Sequence, residues 1–359
     1  MKEWKNMVDD TIPVRPGEEL NIGALEGFLR KNILDLPNEP LELQQFSTGY
    51  SNLTYQLKMG EWEAVLRRPP LGPVAPKAHD MKREHHILSS INPYFQAAPE
   101  PILFSDDESI AGAPFFLMER KHGIVIDTEF PKEIEPTVEK CRQLSHVMVN
   151  RLADLHSIPY EKTGLVEISK PEGFIERQVR GWISRYERAK TDEIKEIRPL
   201  TDYFQHNIPK HSQTSIIHYD YKINNAMFNQ DLTEMVGLFD WEMSTVGDPL
   251  ADLGVALSYW TESGDPELIK IGVGKASVTT LTGFPTRREF IEMYAARSGR
   301  DVSNVDFYLT FGYFKLAVIL QQIYYRYKKG QTNDPRFSNL GKTVKSLLTH
   351  AANVAAKEV

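Results

Sequence analysis

The pattern of apolar and polar positions divides the sequence into a strand-rich front and a helix-rich back. Short apolar or alternating runs predict five front strands, over residues 41–46, 53–58, 63–68, 99–104 and 114–118. Apolar residues at helical spacing predict front helices over residues 18–33 and 80–90. Longer stripes predict the helices of the back part, over residues 138–156, 174–190, 288–298, 306–328 and 341–356. The pattern therefore indicates an α+β protein.

The change of pattern also predicts the domain organisation. A chain of 359 residues exceeds what one hydrophobic core usually holds, so two lobes are expected. Strand patterns end near Glu119 and helical patterns follow Gly123. We expect an N-terminal lobe over residues 1–118, a hinge over 119–123 and a C-terminal lobe over 124–359.

Composition excludes several classes of protein. With 41% hydrophobic and 25% charged residues the chain is neither disordered nor fibrous. A net charge of −7 does not favour binding nucleic acid or an anionic membrane by bulk charge. Cys141 is the only cysteine, which excludes a disulfide framework and favours a reducing compartment. Without a secretory pattern in residues 1–10, we expect a cytoplasmic protein with no nucleic-acid or membrane partner. The sequence does not indicate an oligomeric state.

Candidate chemistry is concentrated between residues 217 and 252. Two short strands are expected over residues 226–229 and 235–239, and a hairpin between them would bring Asn225 and Asp240 together. Amide and carboxylate oxygens suit Mg²⁺ better than zinc. Asp220, one loop away, is then available to accept a proton from an attacking hydroxyl. Metal ligands beside a carboxylate base are what phosphoryl transfer requires.

The order of these residues is similar to a known family. His218-x-Asp220-x-x-x-x-Asn225, followed by Asp240-Trp-Glu, resembles the catalytic core of the protein-kinase-like fold, and more closely its aminoglycoside phosphotransferase and choline kinase branch. The run Gly-Asp-Pro-Leu-Ala-Asp-Leu at residues 247–253 is also typical of that branch.

The closest resemblance is to the phosphotransferase domain that occurs alone in many bacteria and is fused to acyl-CoA dehydrogenases elsewhere. Residues 65–70, Val-Leu-Arg-Arg-Pro-Pro, and the pair Gly181-Trp182 resemble that domain too. The resemblance covers about residues 46–330. It implies a two-lobed, protein-kinase-like α+β fold, with an N-terminal antiparallel sheet plus a helix and a mainly helical C-terminal lobe.

The resemblance implies a nucleotide site in the front lobe. The turn at residues 47–52 would cover the phosphates, and Arg67 occupies the position of the usual strand lysine, with Glu84 as its partner and Arg68 as a rival for the role. Hinge backbone groups would contact the adenine edge. The implied cofactor-binding residues are Ser47, Thr48, Gly49, Ser51, Asn52, Arg67, Glu84, Met118, Glu119 and Arg120.

The resemblance further implies the reaction. ATP, or GTP, would give its γ-phosphate to a small-molecule hydroxyl, with Mg²⁺ on Asn225 and Asp240 and with Asp220 as the base. The acceptor candidates are a hydroxyacyl-CoA, an amino alcohol and an aminoglycoside. A protein acceptor is disfavoured, because only seven residues separate Asp240 from Asp248 and no activation loop is recognisable. Substrate-contacting candidates, for which core packing is the alternative, are Trp182, Arg185, Tyr259, Trp260 and Arg326.

Residues near the motif invite simpler interpretations. His218 is expected to form structural hydrogen bonds under the loop, and Asp248 to cap a helix that begins with Pro249. Asp252 either braces the catalytic loop or lies on the surface. Tyr219 stands where this branch often carries glycine.

Two other functions remain open from the sequence. One is a catalytically silent nucleotide-binding scaffold, which would bind a magnesium nucleotide without phosphorylating any acceptor. The other is a metal-dependent hydrolase that uses His218 and Asp220 as ligands and needs no nucleotide.

Overall fold

The computed structural model describes residues 10–47, 52–70, 79–210, 213–272 and 275–356. The phosphate-turn candidates Thr48, Gly49 and Ser51 lie outside the described residues. The chain forms two compact units: Met1–Gly123 with Val236–Glu242, and Ile124–Met235 with Met243–Val359. The first unit thus includes a short segment from far along the chain. The division into lobes at a hinge over residues 119–123 stays a prediction.

The first unit is built on an antiparallel sheet. Its strands are β1 (Thr11–Ile12), β2 (Glu42–Phe46), β3 (Leu53–Met59), β4 (Trp62–Arg68), β5 (Pro101–Ser105) and β6 (Phe115–Met118). They lie in the order β1-β2-β3-β4-β6-β5. Its helices are α1 (Ile22–Asn32), α2 (Met81–Ile91) and α3 (Glu108–Ala111). The predicted strands and the predicted helix at 80–90 are each present to within two residues, whereas the helix predicted from residue 18 begins at Ile22.

The register of β3 and β4 determines which side chains face the core. Tyr55 lies opposite Leu66, and both are fully buried in the cluster that packs against α1. Because successive side chains of a strand point to opposite faces, Arg67 faces away from that cluster. It faces the side of Glu84 on α2, to which it is hydrogen-bonded. The sheet therefore separates the Tyr55 cluster from the pair formed by Arg67 and Glu84.

The second unit is mainly helical. Its helices are α4 (Val138–His156), α5 (Phe174–Ala189), α6 (Ile197–His206), α7 (Pro249–Tyr259), α8 (Glu267–Ile271), α9 (Arg287–Ser298), α10 (Val305–Lys328) and α11 (Leu340–Ala355). Its strands are β7 (Ile124–Val125), β8 (Ser215–Ile217), β9 (Ala226–Phe228) and β11 (Thr245–Gly247), and β10 (Met235–Leu238) begins in it. Strand β7 pairs with β9, and β8 with β11, both antiparallel. The catalytic-loop candidates follow β8 directly.

Two glycines allow α7 and α10 to approach closely. A Cβ added to Gly254 would lie 2.3 Å from the backbone oxygen of Tyr308, and one added to Gly312 would lie 2.4 Å from the oxygen of Gly254. Only glycine fits at such distances. About one turn beyond Gly312, helix α10 contacts the loop that follows β8.

Helix α7 begins as the sequence predicts. Asp248 is the N-cap, and its side chain accepts the Leu250 N–H at 2.9 Å, with Pro249 at the first helical position. The second Asp248 oxygen accepts the Tyr308 hydroxyl at 2.6 Å, which ties the start of α7 to α10.

Within the described part of the chain, no helix combines the length and the apolar character that crossing a membrane requires.

Candidate functional site

Arg67 is the centre of a charged cluster in the first unit. Its Nε lies 3.1 Å from each carboxylate oxygen of Glu84, and its Nη2 lies 2.8 Å from Oδ1 of Asp240. Both Arg67 and Glu84 are buried. Burial alone would lower the pKa of Arg67, but the two carboxylates outweigh it and raise that pKa. The guanidinium is therefore a fixed positive charge held between α2 and the loop after β10.

Carboxylates outnumber the cation in this cluster. Burial, with the charges of Asp240 and Glu242, raises the pKa of Glu84 to about 7 against the opposing charge of Arg67. Three acidic side chains thus share one guanidinium. Asp240 and Glu242 are half-buried, and carboxylate oxygens are ligands that Mg²⁺ prefers.

Asn52 completes the surroundings of Arg67. With its amide oriented so that both ends are satisfied, its oxygen accepts from Nη2 and Nε of Arg67 at 2.8 and 3.3 Å. Its nitrogen then donates to Nδ1 of His79 at 2.7 Å. The structure therefore places this predicted phosphate-turn residue against the arginine.

Asp240 lies in a tightly anchored turn. Leu238 donates its N–H to Ala97 at 2.7 Å, and the buried Trp241 indole donates back to the Leu238 carbonyl at 2.7 Å. Trp241 also packs edge-on against Phe95. Between these anchors Asp240 has φ of +61°, a left-handed conformation that aspartate tolerates better than most residues. Packing by Trp241 thus sets the direction of the Asp240 carboxylate.

The other predicted nucleotide-binding residues of this unit have varied surroundings. Arg68 faces the opposite side of β4 and donates to the Ala111 carbonyl. The Glu119 N–H donates to Glu100 at 2.8 Å, so it already has a partner within the unit. Arg120 pairs with Asp10 at 2.7 Å, Met118 ends β6, and Ser47 is exposed. Of the predicted residues that the structure describes, Arg67, Glu84 and Asn52 join Asp240.

The second unit holds the catalytic-loop candidates. Asn225 Nδ2 donates to the Asp220 backbone oxygen and to its Oδ2, each at 3.0 Å. Lys222 Nζ lies 3.0 Å from the same Oδ2. The Asn225 amide is thereby turned with its nitrogen toward Asp220 and its oxygen to the other side. That oxygen is a suitable Mg²⁺ donor.

Asp252 braces the loop, as one of the two sequence interpretations required. It is fully buried, and its carboxylate accepts the His218 N–H at 2.7 Å and the Tyr219 N–H at 2.8 Å. His156 Nε2 lies 3.1 Å from the same group, and Nδ1 of that histidine is 2.6 Å from the Tyr294 hydroxyl. Burial alone would raise the pKa of Asp252, but His156 outweighs it and lowers that pKa. The brace is therefore an anion.

His218 has the structural role expected of it. The side chain is completely buried, and its Nδ1 accepts the Asp220 N–H at 3.3 Å. Among the described residues, no group of three or more His, Cys, Asp or Glu side chains is arranged to hold a metal ion.

The backbone conformation at Tyr219 is one that glycine adopts readily. Its φ is +66°, a left-handed conformation that costs a non-glycine residue about 1–2 kcal/mol. Its N–H is held by Asp252 and its carbonyl by Lys315 Nζ at 2.6 Å. The residue immediately before Asp220 is thus strained and held from both sides.

The predicted substrate residues separate into two groups. Trp182 is buried next to the loop, with the Arg185 guanidinium 4.6 Å from its ring centre. Tyr259 lies by the loop, with Lys222 Nζ 5.0 Å from its ring centre, and burial followed by the Asp220 charge raises the pKa of Tyr259 well above its usual value. Trp260 instead packs against Phe284 and Phe290, and Arg326 is exposed in the last turn of α10, so the structure shows no contact of either with this group.

Sequence reasoning missed two cations of this site. Lys222 could have been found, because it lies two residues after Asp220 and three before Asn225. The signal for Lys315 was a single charge in a long apolar helical stretch. Its partner lies 96 residues earlier in the sequence, which no local pattern reveals.

Comparison with known proteins identifies the family. The family model described as "Phosphotransferase enzyme family" matches residues 42–290. Mouse acyl-CoA dehydrogenase family member 10 is 32% identical over 354 residues, which cover 98% of this chain and 33% of that protein. The chain therefore corresponds to about a third of the length of this curated relative.

Solved structures agree with this assignment. A putative aminoglycoside phosphotransferase from Ralstonia eutropha is 26% identical, with a TM-score of 0.80, covering 94% of this chain and 99% of that one. The ADP-bound aminoglycoside phosphotransferase APH(2'')-Ib shares the fold at 17% identity, with a TM-score of 0.57 and coverage of 93% and 99%. The prediction of a protein-kinase-like α+β phosphotransferase is confirmed, and the chain belongs to the phosphotransferase enzyme family.

Proposed function

We propose that this protein is an ATP-dependent kinase that phosphorylates a hydroxyl group of a small molecule, with Mg²⁺ as its metal. The observation that carries the proposal is the arrangement of Asp220, whose Oδ2 is held by Asn225 and Lys222 at 3.0 Å. Because Oδ2 already contacts Asn225 and Lys222, we assign to Oδ1 the role of accepting the proton of the acceptor hydroxyl.

In this proposal the Arg67 cluster binds the nucleotide. Arg67 would bind the phosphates, since a guanidinium donates to two oxygens at once. Glu84 keeps it in place through contacts of 3.1 Å. Asp240 and Asn225 would hold Mg²⁺, which when bound neutralises charge on the phosphates. The ADP-bound relative supports nucleotide use by this fold.

The chemical step needs one base and one leaving group. The acceptor hydroxyl gives its proton to Asp220 as its oxygen forms a bond to the γ-phosphorus. The bond from that phosphorus to the β–γ bridging oxygen breaks, and ADP leaves with the electron pair. Lys222, 3.0 Å from Asp220, fixes the carboxylate during the transfer.

Among the acceptor candidates we favour a hydroxyacyl-CoA over an aminoglycoside or an amino alcohol. The relative from mouse carries the name of an acyl-CoA dehydrogenase family member. The Arg185 guanidinium lies 4.6 Å from the ring centre of Trp182, whereas Lys315 on helix α10 is buried. A cation near the base would repel a polycationic acceptor and suit an anionic one. We also propose a cytoplasmic location.

The test is ADP release with Mg²⁺ and ATP in the presence of each acceptor class. We expect a hydroxyacyl-CoA to stimulate ADP release, and Asp220→Ala to abolish it while nucleotide binding survives. If Asp220→Ala kept near-wild-type phosphoryl transfer, the base would be assigned wrongly. Magnesium-nucleotide binding without turnover for any acceptor would instead favour the silent scaffold.

A further inference from the structure

A buried lysine on α10 contacts the catalytic loop. Lys315 is 1% exposed, and its Nζ donates to the Tyr219 carbonyl at 2.6 Å. The same nitrogen lies 4.0 Å from the centre of the Tyr219 ring and 5.7 Å from that of Trp182. Lysine is seldom buried to this degree without a specific partner. Its partner here is a single backbone carbonyl and the faces of two aromatic rings.

That carbonyl belongs to the strained residue of the loop. Tyr219 has φ of +66°, and Asp252 accepts its N–H at 2.8 Å. The two clamps come from two helices, Asp252 from α7 and Lys315 from α10. Those helices are locked together where Gly254 and Gly312 meet. The peptide that joins Tyr219 to Asp220 is therefore held to a rigid helix pair.

We propose that Lys315 is a positioning residue for phosphoryl transfer. By holding the Tyr219 carbonyl it keeps Tyr219 in its left-handed conformation and so fixes the direction of the Asp220 carboxylate. This inference rests on the proposed role of Asp220 as the base.

The electrostatic surroundings show that burying this lysine opposes stability. Burial lowers the pKa of Lys315 to about 8, and Asp220 and Asp252 oppose that shift while Lys222 and Arg185 add to it. A buried charge with no directly bonded carboxylate is usually less favourable than an apolar side chain of the same size. Its presence at this carbonyl is explained if the charge-assisted hydrogen bond orders the loop.

The test compares Lys315→Met with a matched control on the same helix. Gln321, also buried, donates from α10 to the Ala189 carbonyl at 2.7 Å, away from the loop. We expect Lys315→Met to lower kcat on the order of 10- to 100-fold, with KM within about 3-fold of wild type and little change in Tm. Gln321→Met should lower Tm and leave kcat unchanged.

Rescue separates positioning from packing. Glycine adopts positive φ without strain, so Tyr219→Gly should restore most of the kcat that Lys315→Met loses. Unchanged kcat in Lys315→Met would overturn the proposal. So would a loss of kcat that Tyr219→Gly leaves unrepaired and that Gln321→Met reproduces.

Hydrogen exchange gives a readout that does not depend on activity. Lys315→Met should speed amide exchange of the peptide covering residues 215–225, and Gln321→Met should not. Unchanged exchange in Lys315→Met would contradict the clamp even in an active enzyme. Faster exchange in a protein that phosphorylates no acceptor would support the clamp while the proposed function fails.

Discussion

The Arg67 cluster and the Asp220 loop hold their functional side chains by different means. Around Arg67, charges are held by other charged side chains, and carboxylates are in excess. Around Asp220, the backbone itself is held, through the Asp252 carboxylate and the Lys315 ammonium. The first arrangement suits a site that takes up a cation with its ligand. The second suits a site whose geometry must stay constant.

Among the variants that alter how the functional side chains are held, the largest effect is expected where the backbone brace is removed. Asp252→Asn replaces one accepting oxygen with a donor that faces backbone N–H groups, so it should lower the free energy of unfolding by about 3 kcal/mol. We expect kcat to fall by roughly 100-fold in the protein that remains folded. Chemical denaturation and ADP release at low temperature measure both quantities.

Asp248→Asn is the matched control for that variant. Asparagine keeps the oxygen that accepts the Leu250 N–H but replaces the one that accepts the Tyr308 hydroxyl, so this change, four residues earlier, should lower Tm and leave kcat near wild type. Equal losses of kcat in the two variants would mean that the loop does not depend on the Asp252 brace in particular.

A smaller effect is expected in the charge-held cluster. Glu84→Gln keeps the shape of the side chain but removes the charge that holds Arg67, so the Kd for Mg²⁺-ATP should rise by about 10-fold. Calorimetric titration measures this. Glu63→Gln, which alters the pair between Glu63 on β4 and His122, should leave the Kd unchanged. An unaltered Kd in Glu84→Gln would contradict the role of Glu84 in holding Arg67 for nucleotide binding.

The pH dependence should show opposite trends in activity and stability. Lys315 has a pKa of about 8 in the folded protein, below its ordinary value of 10.5. Between these values the unfolded chain binds the extra proton, so the contribution of Lys315 to the free energy of unfolding rises with pH. The charge that clamps Tyr219 is lost over the same range, so kcat should fall several-fold above pH 8.

Lys315→Met serves as the reference for that experiment. Its kcat should be low and should lack the decline above pH 8, and wild type should gain stability relative to it between pH 8 and 10. A wild-type kcat that stays level to pH 9, or an identical decline in both proteins, would contradict the clamp.

The smallest effect distinguishes the two tryptophans. Trp182→Phe should raise the KM for the acceptor a few-fold, because Trp182 lies beside the Arg185 guanidinium and the Lys315 ammonium. Trp260→Phe should leave that KM unchanged and lower only Tm, since Trp260 packs against Phe290 and donates to the Pro285 carbonyl. If steady-state kinetics instead showed a raised acceptor KM for Trp260→Phe and an unchanged one for Trp182→Phe, Trp260 would be the residue near the acceptor.

Much of the fold could be predicted because its elements have strong local patterns. The predicted helix at 138–156 coincides with α4, and the five front strands were found to within two residues. Helix α6 was missed, since Pro199 lies in its first turn and a charged run precedes it. Two-residue strands such as β7 are too short to show any periodicity.

The site was predictable where it depends on spacing within one segment. Asp220 and Asn225 are close in sequence, and their contact follows from a short loop. The pairing of Arg67 with Glu84 was implied by the resemblance to the protein-kinase-like core. The Lys315 contact was not predictable, because it depends on how closely α7 and α10 approach. The convergence of Asn225 and Asp240 on one metal ion stays a prediction.

The most direct test measures Mg²⁺-ATP affinity and turnover together in Asp220→Asn and Asp240→Asn. We expect Asp220→Asn to bind Mg²⁺-ATP as wild type does but to release ADP at least about 1,000-fold more slowly. Asp240→Asn should lose most of its Mg²⁺-dependent nucleotide binding. Normal turnover in Asp220→Asn, or unaltered Mg²⁺-dependent binding in Asp240→Asn, would contradict the proposed function.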